Sequence, residues 1–450
     1  MISRVTGVLS LPDREKSMRP VMAPKTFVHG FATHVKLRPM MLRTIFLLVS
    51  LPFWCFAAVP YVPTIADPVL EPWRWQEMEE LGGLGVLCMD EAEDGALWFG
   101  CVGGLARYDG SRVERVPFGE KLLSGIARRS MNREPWAVSV LCPRDGGLLV
   151  VVESGLARWK NDAWEVVMPD VGSGSSYESR LDQAPDGSIW LLMEDVLWRF
   201  SEDLSERRVI MRPTDDQRLS SFCFDERGDV WVVRNTRQRT TELIRVPSSS
   251  TGLEAPRAAN IYQVAVKNPA RESRVRAGPN GKIWYVDNIA DNGVLAFDPA
   301  TEIWEKSANP ESKKGYFSLI KDRDGTLWAG GPGLLYAVRP SGERYYSSSN
   351  LGLPSLPLTI HETNAGKWWV IGRGGYVYAM DPSDRQWLTY EGLHYECATP
   401  DGKQWFLLSN RRVVSHDPAT GEWLRYKLSD NIIDRPRSLR VSSHGLLWAA

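Results

Sequence analysis

The stretch Asp324-Gly325-Thr326-Leu327-Trp328 decides the reading of this 450-residue chain because its pattern recurs. A turn glycine followed three positions later by tryptophan appears again as Asp94-Gly95-x-x-Trp98, Asp186-Gly187-x-x-Trp190, Arg227-Gly228-x-x-Trp231 and Asn280-Gly281-x-x-Trp284. It continues as Ala365-Gly366-x-x-Trp369, Asp401-Gly402-x-x-Trp405 and His444-Gly445-x-x-Trp448, and Gly146-x-x-Leu149 is a copy whose Trp has become Leu. Successive anchors lie 51, 41, 41, 53, 44, 41, 36 and 43 residues apart. A period near forty residues is the signature of a repeat architecture.

The residue types explain the unit. Asp-Gly or Asn-Gly between apolar runs is a strong hairpin signal, read here as a type I′ turn with both central residues at positive φ. The Trp sits early in the second strand, where alternation lets it face a neighbouring sheet. A third strand follows, as in Gly104-Leu105-Ala106-Arg107-Tyr108 and Val294-Leu295-Ala296-Phe297-Asp298. A fourth closes the unit, as in Ala163-Trp164-Glu165-Val166-Val167 and Glu422-Trp423-Leu424-Arg425-Tyr426. Four strands per period predict an all-β chain forming a single β-propeller of seven or eight four-stranded blades. A helical solenoid would show apolar stripes at 3.6 spacing, and these segments alternate with period two. The anchors Trp98, Trp190, Trp231, Trp284, Trp328, Trp369, Trp405 and Trp448 are read as scaffold.

The ends of the chain read differently. From Met41 to Ala58 a short positive region, an apolar core and a small-residue exit predict a secretory signal peptide, cut after Ala57 or Ala58. Residues 1–40 are then expected to be a non-native upstream extension or disordered, with Met40 or Met41 as the start. The propeller is expected over residues 73–450 with its last blade incomplete. It stops just after Trp448, so either the chain is a fragment of a longer receptor or its last strands close onto Trp73-Arg74-Trp75-Gln76-Glu77-Met78. The mature part is not expected to span a membrane, and the location is periplasmic or secreted.

Lys and Arg number 54 against 55 Asp and Glu, so no global field attracts nucleic acid. Five cysteines remain after the leader, an odd number, and Cys88, Cys142, Cys223 and Cys397 stand seven to ten residues before an anchor inside apolar runs. Free buried thiols are predicted in place of a disulfide framework. No Cys-x-x-Cys pair or clustered histidines suggest a metal, and no nucleophile elbow or phosphate loop appears, so neither cofactor nor enzyme activity is read.

The string Asn350-Leu351-Gly352-Leu353-Pro354-Ser355, followed by Ala365-Gly366-Lys367-Trp368-Trp369-Val370-Ile371-Gly372 and Gly375-Tyr376-Val377-Tyr378, resembles the two-component-regulator propeller repeat. So does Asp322-Arg323-Asp324-Gly325-Thr326-Leu327-Trp328-Ala329-Gly330, and the resemblance runs over about residues 73–450. It implies an extracytoplasmic sensor propeller, the ligand-sensing part of a signalling system with a signalling partner or a missing output domain. No transmembrane or output segment follows here, a departure from the family's usual arrangement. A propeller enzyme acting lyase-like on a polysaccharide or antibiotic is the alternative, and a protein–protein platform a third. Ligands of propellers meet the loops around the central opening. The segments joining one unit to the next carry Arg180, Arg218, Arg274, Arg276, Tyr316, His394, Arg435 and Arg437. Converging arginines would suit a small-molecule or glycan ligand bearing carboxylate or sulfate. Two insertions, 118–135 and 247–273, add loop surface.

Overall fold

The computed structural model describes residues 9–10, 58–126, 134–153, 155–169, 180–238, 240–248, 260–266, 270, 272–289, 291–307, 315–339, 342–347, 358–372, 375–383, 387–410, 412–426 and 436–450. The signal-peptide stretch before Ala58 and most of residues 1–40 lie outside them. The chain separates into a larger unit, Pro68–Ser383, and a smaller one, Met1–Asp67 with Asp384–Ala450. The stretch 73–450, read from its repeats as one propeller, is thus divided at Ser383.

The larger unit is a propeller ring of seven blades. Six are antiparallel sheets of four consecutive strands, running from Cys88–Glu91 to Val113–Pro117, Ala137–Leu141 to Ala163–Met168, and Arg180–Gln183 to Arg207–Met211. The next three run from Gln217–Phe224 to Asn260–Gln263, Ser273–Ala277 to Ile303–Lys306, and Ser318–Lys321 to Gly342–Ser347. Blade 7 takes three strands from Leu358–Glu362, Trp368–Gly372 and Val377–Met380 and its fourth from Gln76–Glu77, near the start of the unit. Gln76 pairs with Ala379 and Glu77 with Tyr378, and the Met78 N–H extends the pairing to the Val377 carbonyl at 2.9 Å. The expected closure on the Trp73–Met78 segment therefore occurs, but on the seventh blade and not on the chain's last strands. Blade 7 also packs on blade 1, where Trp369 and Ile371 share a buried cluster with Leu97 and Phe99.

The smaller unit holds an eighth sheet of the same kind, Leu393–Ala398 through Glu422–Tyr426, with a fifth strand added by Ala58–Pro60. A two-stranded sheet, Leu439–Val441 with Leu447–Ala449, packs on it through Leu439 against Leu407 and Val413. The repeat count thus resolves into seven blades in one ring and an eighth sheet in the other unit.

The glycine turn differs from the expected type. The Gly95 N–H donates to the Ala92 carbonyl at 2.9 Å, and the Ala92 N–H donates to Ala96 at 2.8 Å. Gly95 stands at φ 80° while Asp94 does not reach positive φ. That is a type I turn followed by a left-handed glycine bulge, a three-residue hairpin loop. Only the unit with Asn280 at φ 61° and Gly281 at 68° has both residues at positive φ.

The tryptophan acts as expected in the ring, reaching onto the following blade. Trp190 meets Phe222 and Phe224 of blade 4, and Trp328 meets Trp368 of blade 7 with ring centroids 4.6 Å apart. Burying such a ring needs a partner for its N–H. The residue six places upstream supplies it in some units: Asp225 accepts from Trp231 at 2.9 Å and Asp322 from Trp328 at 2.8 Å. The other oxygen of the same Asp225 accepts the Arg227 and Asp229 N–H groups at the turn. In blade 3 position six is Ala184, and the Ser188 hydroxyl accepts from Trp190 instead. Leu149, where the Trp is missing, packs on Ile189 and Leu191 of blade 3. Trp448 is a correction: in the two-stranded sheet it is 63 % exposed, with no following sheet among the described residues to receive it.

The insertions are not merely loops. Residues 118–135 contain a short helix, Glu120–Gly125, whose Leu122 is buried in the blade 1–blade 2 core. Residues 247–273 supply Asn260–Gln263, the outer strand of blade 4, with 249–259 outside the described residues. Cys88, Cys101, Cys142, Cys223 and Cys397 are free thiols, Cys101 and Cys223 buried and the others half-buried.

Replacing Asp225 with alanine removes one carboxylate that holds both a turn and a buried indole N–H. Urea unfolding should show a loss of about 2–4 kcal/mol, a charge-assisted bond plus an unsatisfied buried donor. An unchanged midpoint would refute the capping role.

Candidate functional site

The innermost strands of the seven blades surround the ring's central channel, and the anchor fixes which side chain each presents. In the antiparallel register, the residue opposite the anchor lies eight places before it: Asp90 opposite Trp98, Leu141 opposite Leu149, Asp182 opposite Trp190, Cys223 opposite Trp231. The set continues with Arg276 opposite Trp284, Ile320 opposite Trp328 and His361 opposite Trp369. Contacts between blades that are not neighbours show that this layer faces the channel. Arg276 Nη1 on blade 5 lies 3.5 Å from Asp182 Oδ2 on blade 3, across the position of blade 4. At the strand ends, Lys321 of blade 6 reaches Glu226 in the turn of blade 4 at 3.6 Å.

Four titratable groups therefore share one layer that faces the channel: Asp90, Asp182, Arg276 and His361, with the Asp182 and Arg276 side chains 36 % and 44 % exposed. Burial pushes the Asp90 carboxyl up to about 6, with the Asp182 and Glu91 charges adding to the rise. The Cys142 N–H, donating to Asp90 at 2.7 Å, works against it. Burial also raises Asp182, opposed chiefly by the Arg276 charge. It lowers His361 to about 4, reinforced by Arg276, so the imidazole is neutral at physiological pH. Cys223 in the same layer is pushed up to about 12 by burial, which keeps it a thiol. Burial disfavours the charged forms of Asp90, Asp182 and His361, with the Arg276 guanidinium as the positive charge beside Asp182 and His361.

The predicted arginine cluster is only partly assembled. Arg180 and Arg274 stand two residues before Asp182 and Arg276 on the same strand faces, so three of the eight candidates share the channel register. Arg274 Nη1 donates to the Ser273 carbonyl at 2.7 Å. Arg218 lies apart, in a pocket of about 290 Å³ with Asp215, Asp216 and Asn235; burial raises Asp195 in the blade 3 turn, and the Arg218 charge partly opposes that rise. Tyr316 is a correction. It is 1 % exposed, in the blade 5–blade 6 core beside Tyr336, because its apolar ring outweighs one hydroxyl. His394 and Arg437 are exposed in the smaller unit, where the Arg437 N–H donates to the Ala450 carbonyl. Arg435 lies outside the described residues. Reading linkers alone missed Asp90, Asp182 and His361. The signal that finds them is position, eight residues before each anchor.

Within the described residues, no three His, Cys, Asp or Glu side chains are placed to hold a metal. No helix among them is long and apolar enough to cross a membrane.

Comparison with known proteins agrees at the level of fold. No family model matches the chain, and no curated protein does. Among solved structures, the extracellular domain of a hybrid two-component system protein from B. thetaiotaomicron is similar over 83 % of this chain, with 15 % identity and a TM-score of 0.54. This chain spans about half of that one, 52 %. YCF48 bound to D1 peptide is similar over 71 % of this chain and 98 % of its own, at 14 % identity and TM-score 0.52. A catalytically inactive virginiamycin B lyase from Staphylococcus aureus with quinupristin is similar over 68 % of this chain and 98 % of its own, at 13 % identity and TM-score 0.50. These likenesses establish the propeller fold.

Proposed function

We propose that this chain is an extracytoplasmic ligand-binding β-propeller that serves as the sensor part of a signalling system. The observation that carries the reading is the cross-channel contact of Arg276 with Asp182, flanked by Asp90 and neutral His361. At 3.5 Å the pair sits at the outer limit of a hydrogen bond, so guanidinium donors remain for an incoming group. The bound species is a small molecule carrying one carboxylate for Arg276 and hydroxyls for the aspartates. A polyanion does not suit a layer that contains two carboxylates and one guanidinium. Similarity to the extracellular domain of a two-component system protein supports the sensing role.

A thermal-shift screen of residues 58–450 against sugars, uronates and divalent metals tests this. A uronate should raise the melting temperature, and Arg276→Ala should weaken binding by about tenfold or more, as for loss of one charge-assisted contact. Undiminished binding by Arg276→Ala would remove the channel from the reading. Metal-dependent turnover of a polysaccharide or antibiotic would replace sensing with a lyase activity.

The channel carboxylates also set a pH dependence. Asp90 has a folded pKa of about 6, above its ordinary value of 3.8, so its charging opposes folding as pH rises through that interval. His361, depressed from 6.5 to about 4, contributes stability that is lost as pH falls through the same region. Asp90→Asn should therefore raise the melting temperature at pH 7.5, with the gain shrinking toward pH 4. Scanning fluorimetry across that range checks it, and an equal shift at both ends would contradict the burial of Asp90.

A further inference from the structure

Away from the channel, a cleft of about 560 Å³ opens between blades 1 and 2, bounded by their glycine turns and by the last turn of blade 2. Its walls differ in residue type from the blade 3–blade 4 junction. Phe224 stands seven places before its anchor in blade 4 and meets Trp190 edge-on at 5.6 Å. Cys142 holds that place in blade 2, facing Trp98, and a thiol fills far less space than a phenyl ring. Trp98 is left half-buried, whereas Trp190 is fully buried. Ala92 stands six places before Trp98, where Asp225 and Asp322 cap their indoles.

The lining carries indole faces and both kinds of hydrogen-bonding group. Trp98 and Trp159 contribute rings, and Arg107 lies over Trp98 at 6.0 Å while donating to Asp94 at 3.0 Å. Asn161 and Asp162 stand at the lip, exposed, at φ 53° and 57°. Both central residues at positive φ make a tight two-residue hairpin turn, so these side chains are presented on a fixed backbone.

We propose that this cleft is a carbohydrate-binding site for a neutral hexopyranose ring. A pyranose offers an apolar C–H face to an indole and hydroxyls that both donate and accept, matching Asp94 and Asp162 as acceptors and Arg107 and Asn161 as donors. An anion meets Glu93, Asp94 and Asp162 at the rim, and an organic cation meets Arg107 and Lys160. The volume lies in the range of small-molecule sites. The site is separate from the channel and stands whether or not the sensing reading does.

The test is saturation-transfer NMR and tryptophan-fluorescence titration with the methyl glycosides of glucose, galactose and mannose. At least one should bind saturably. Cys142→Phe, which rebuilds the blade 4 packing, should weaken it at least about tenfold without lowering the melting temperature, and Asn161→Ala should weaken it in a folded protein. Arg276→Ala should leave it unchanged, which separates this site from the channel. Absence of binding by all three glycosides, or binding by Cys142→Phe or Asn161→Ala within twofold of the parent, would overturn the proposal. Binding of tetramethylammonium or inorganic phosphate at the same tryptophans in place of the glycosides would do the same.

Discussion

Each blade of the ring places one large apolar side chain against the next sheet, an indole in six blades and Leu149 in blade 2, and this handing-on is the constraint on which the structure depends. A four-stranded sheet has two faces and little interior, so it gains stability only by covering a neighbour. The ring extends that cover around seven sheets and leaves none of them at an end. The polar side of the arrangement also matters, because a buried indole N–H is costly to leave unanswered. Among the anchors only some are answered: Trp284 and Trp369 have no acceptor among the described residues. Asp225 and Asp322 answer it from the turn that the glycine creates, so turn, cap and plug form one device.

The same device determines where chemistry can occur. Antiparallel pairing ties each anchor to the residue opposite it on the innermost strand, so fixing seven anchors fixes seven channel positions. Three of these are apolar or thiol in character, Leu141, Cys223 and Ile320, and four are titratable. Scaffold and site are therefore not independent parts of the chain. A shift of one residue in any first hairpin would turn a channel residue toward the blade core.

The fold was legible because Gly-x-x-Trp encodes a turn, a strand and an interface together. The turn type was not, since an aspartate before glycine serves a two-residue hairpin and a glycine-bulge loop equally well. What separates them is the bond from Gly95 to Ala92, a geometric fact with no distinct composition. Blade number was hidden because the eighth repeat keeps the pattern of the first seven while lying in another unit. Among candidate site residues, Arg276 was found by its charge and its linker. Asp90, Asp182 and His361 share the strand position of Arg276 but were missed because a single carboxylate or imidazole has no distinct signal until the register is known, and Tyr316 was misplaced because a tyrosine in a linker serves a core as readily as a ligand. The cleft beside Trp98 needed a comparison between equivalent positions, Cys142 against Phe224, that becomes visible once the register is known.

The closing strand of the ring carries a consequence for how the protein is made. Glu77 lies 301 residues before its partner Tyr378, so the seventh blade stays incomplete until nearly the whole unit has been synthesised. The first six blades pair strands that are close in sequence, and each can form and stack as it emerges. During that interval the growing array presents the bare apolar face of its last sheet at its advancing end. Joining the ends after three hundred residues adds a loop-closure cost that grows only logarithmically with length, but the search is slow because the contact is so distant. The two residues Gln76 and Glu77, the smallest strand of the ring, thus set the moment at which a stack of sheets becomes a closed molecule.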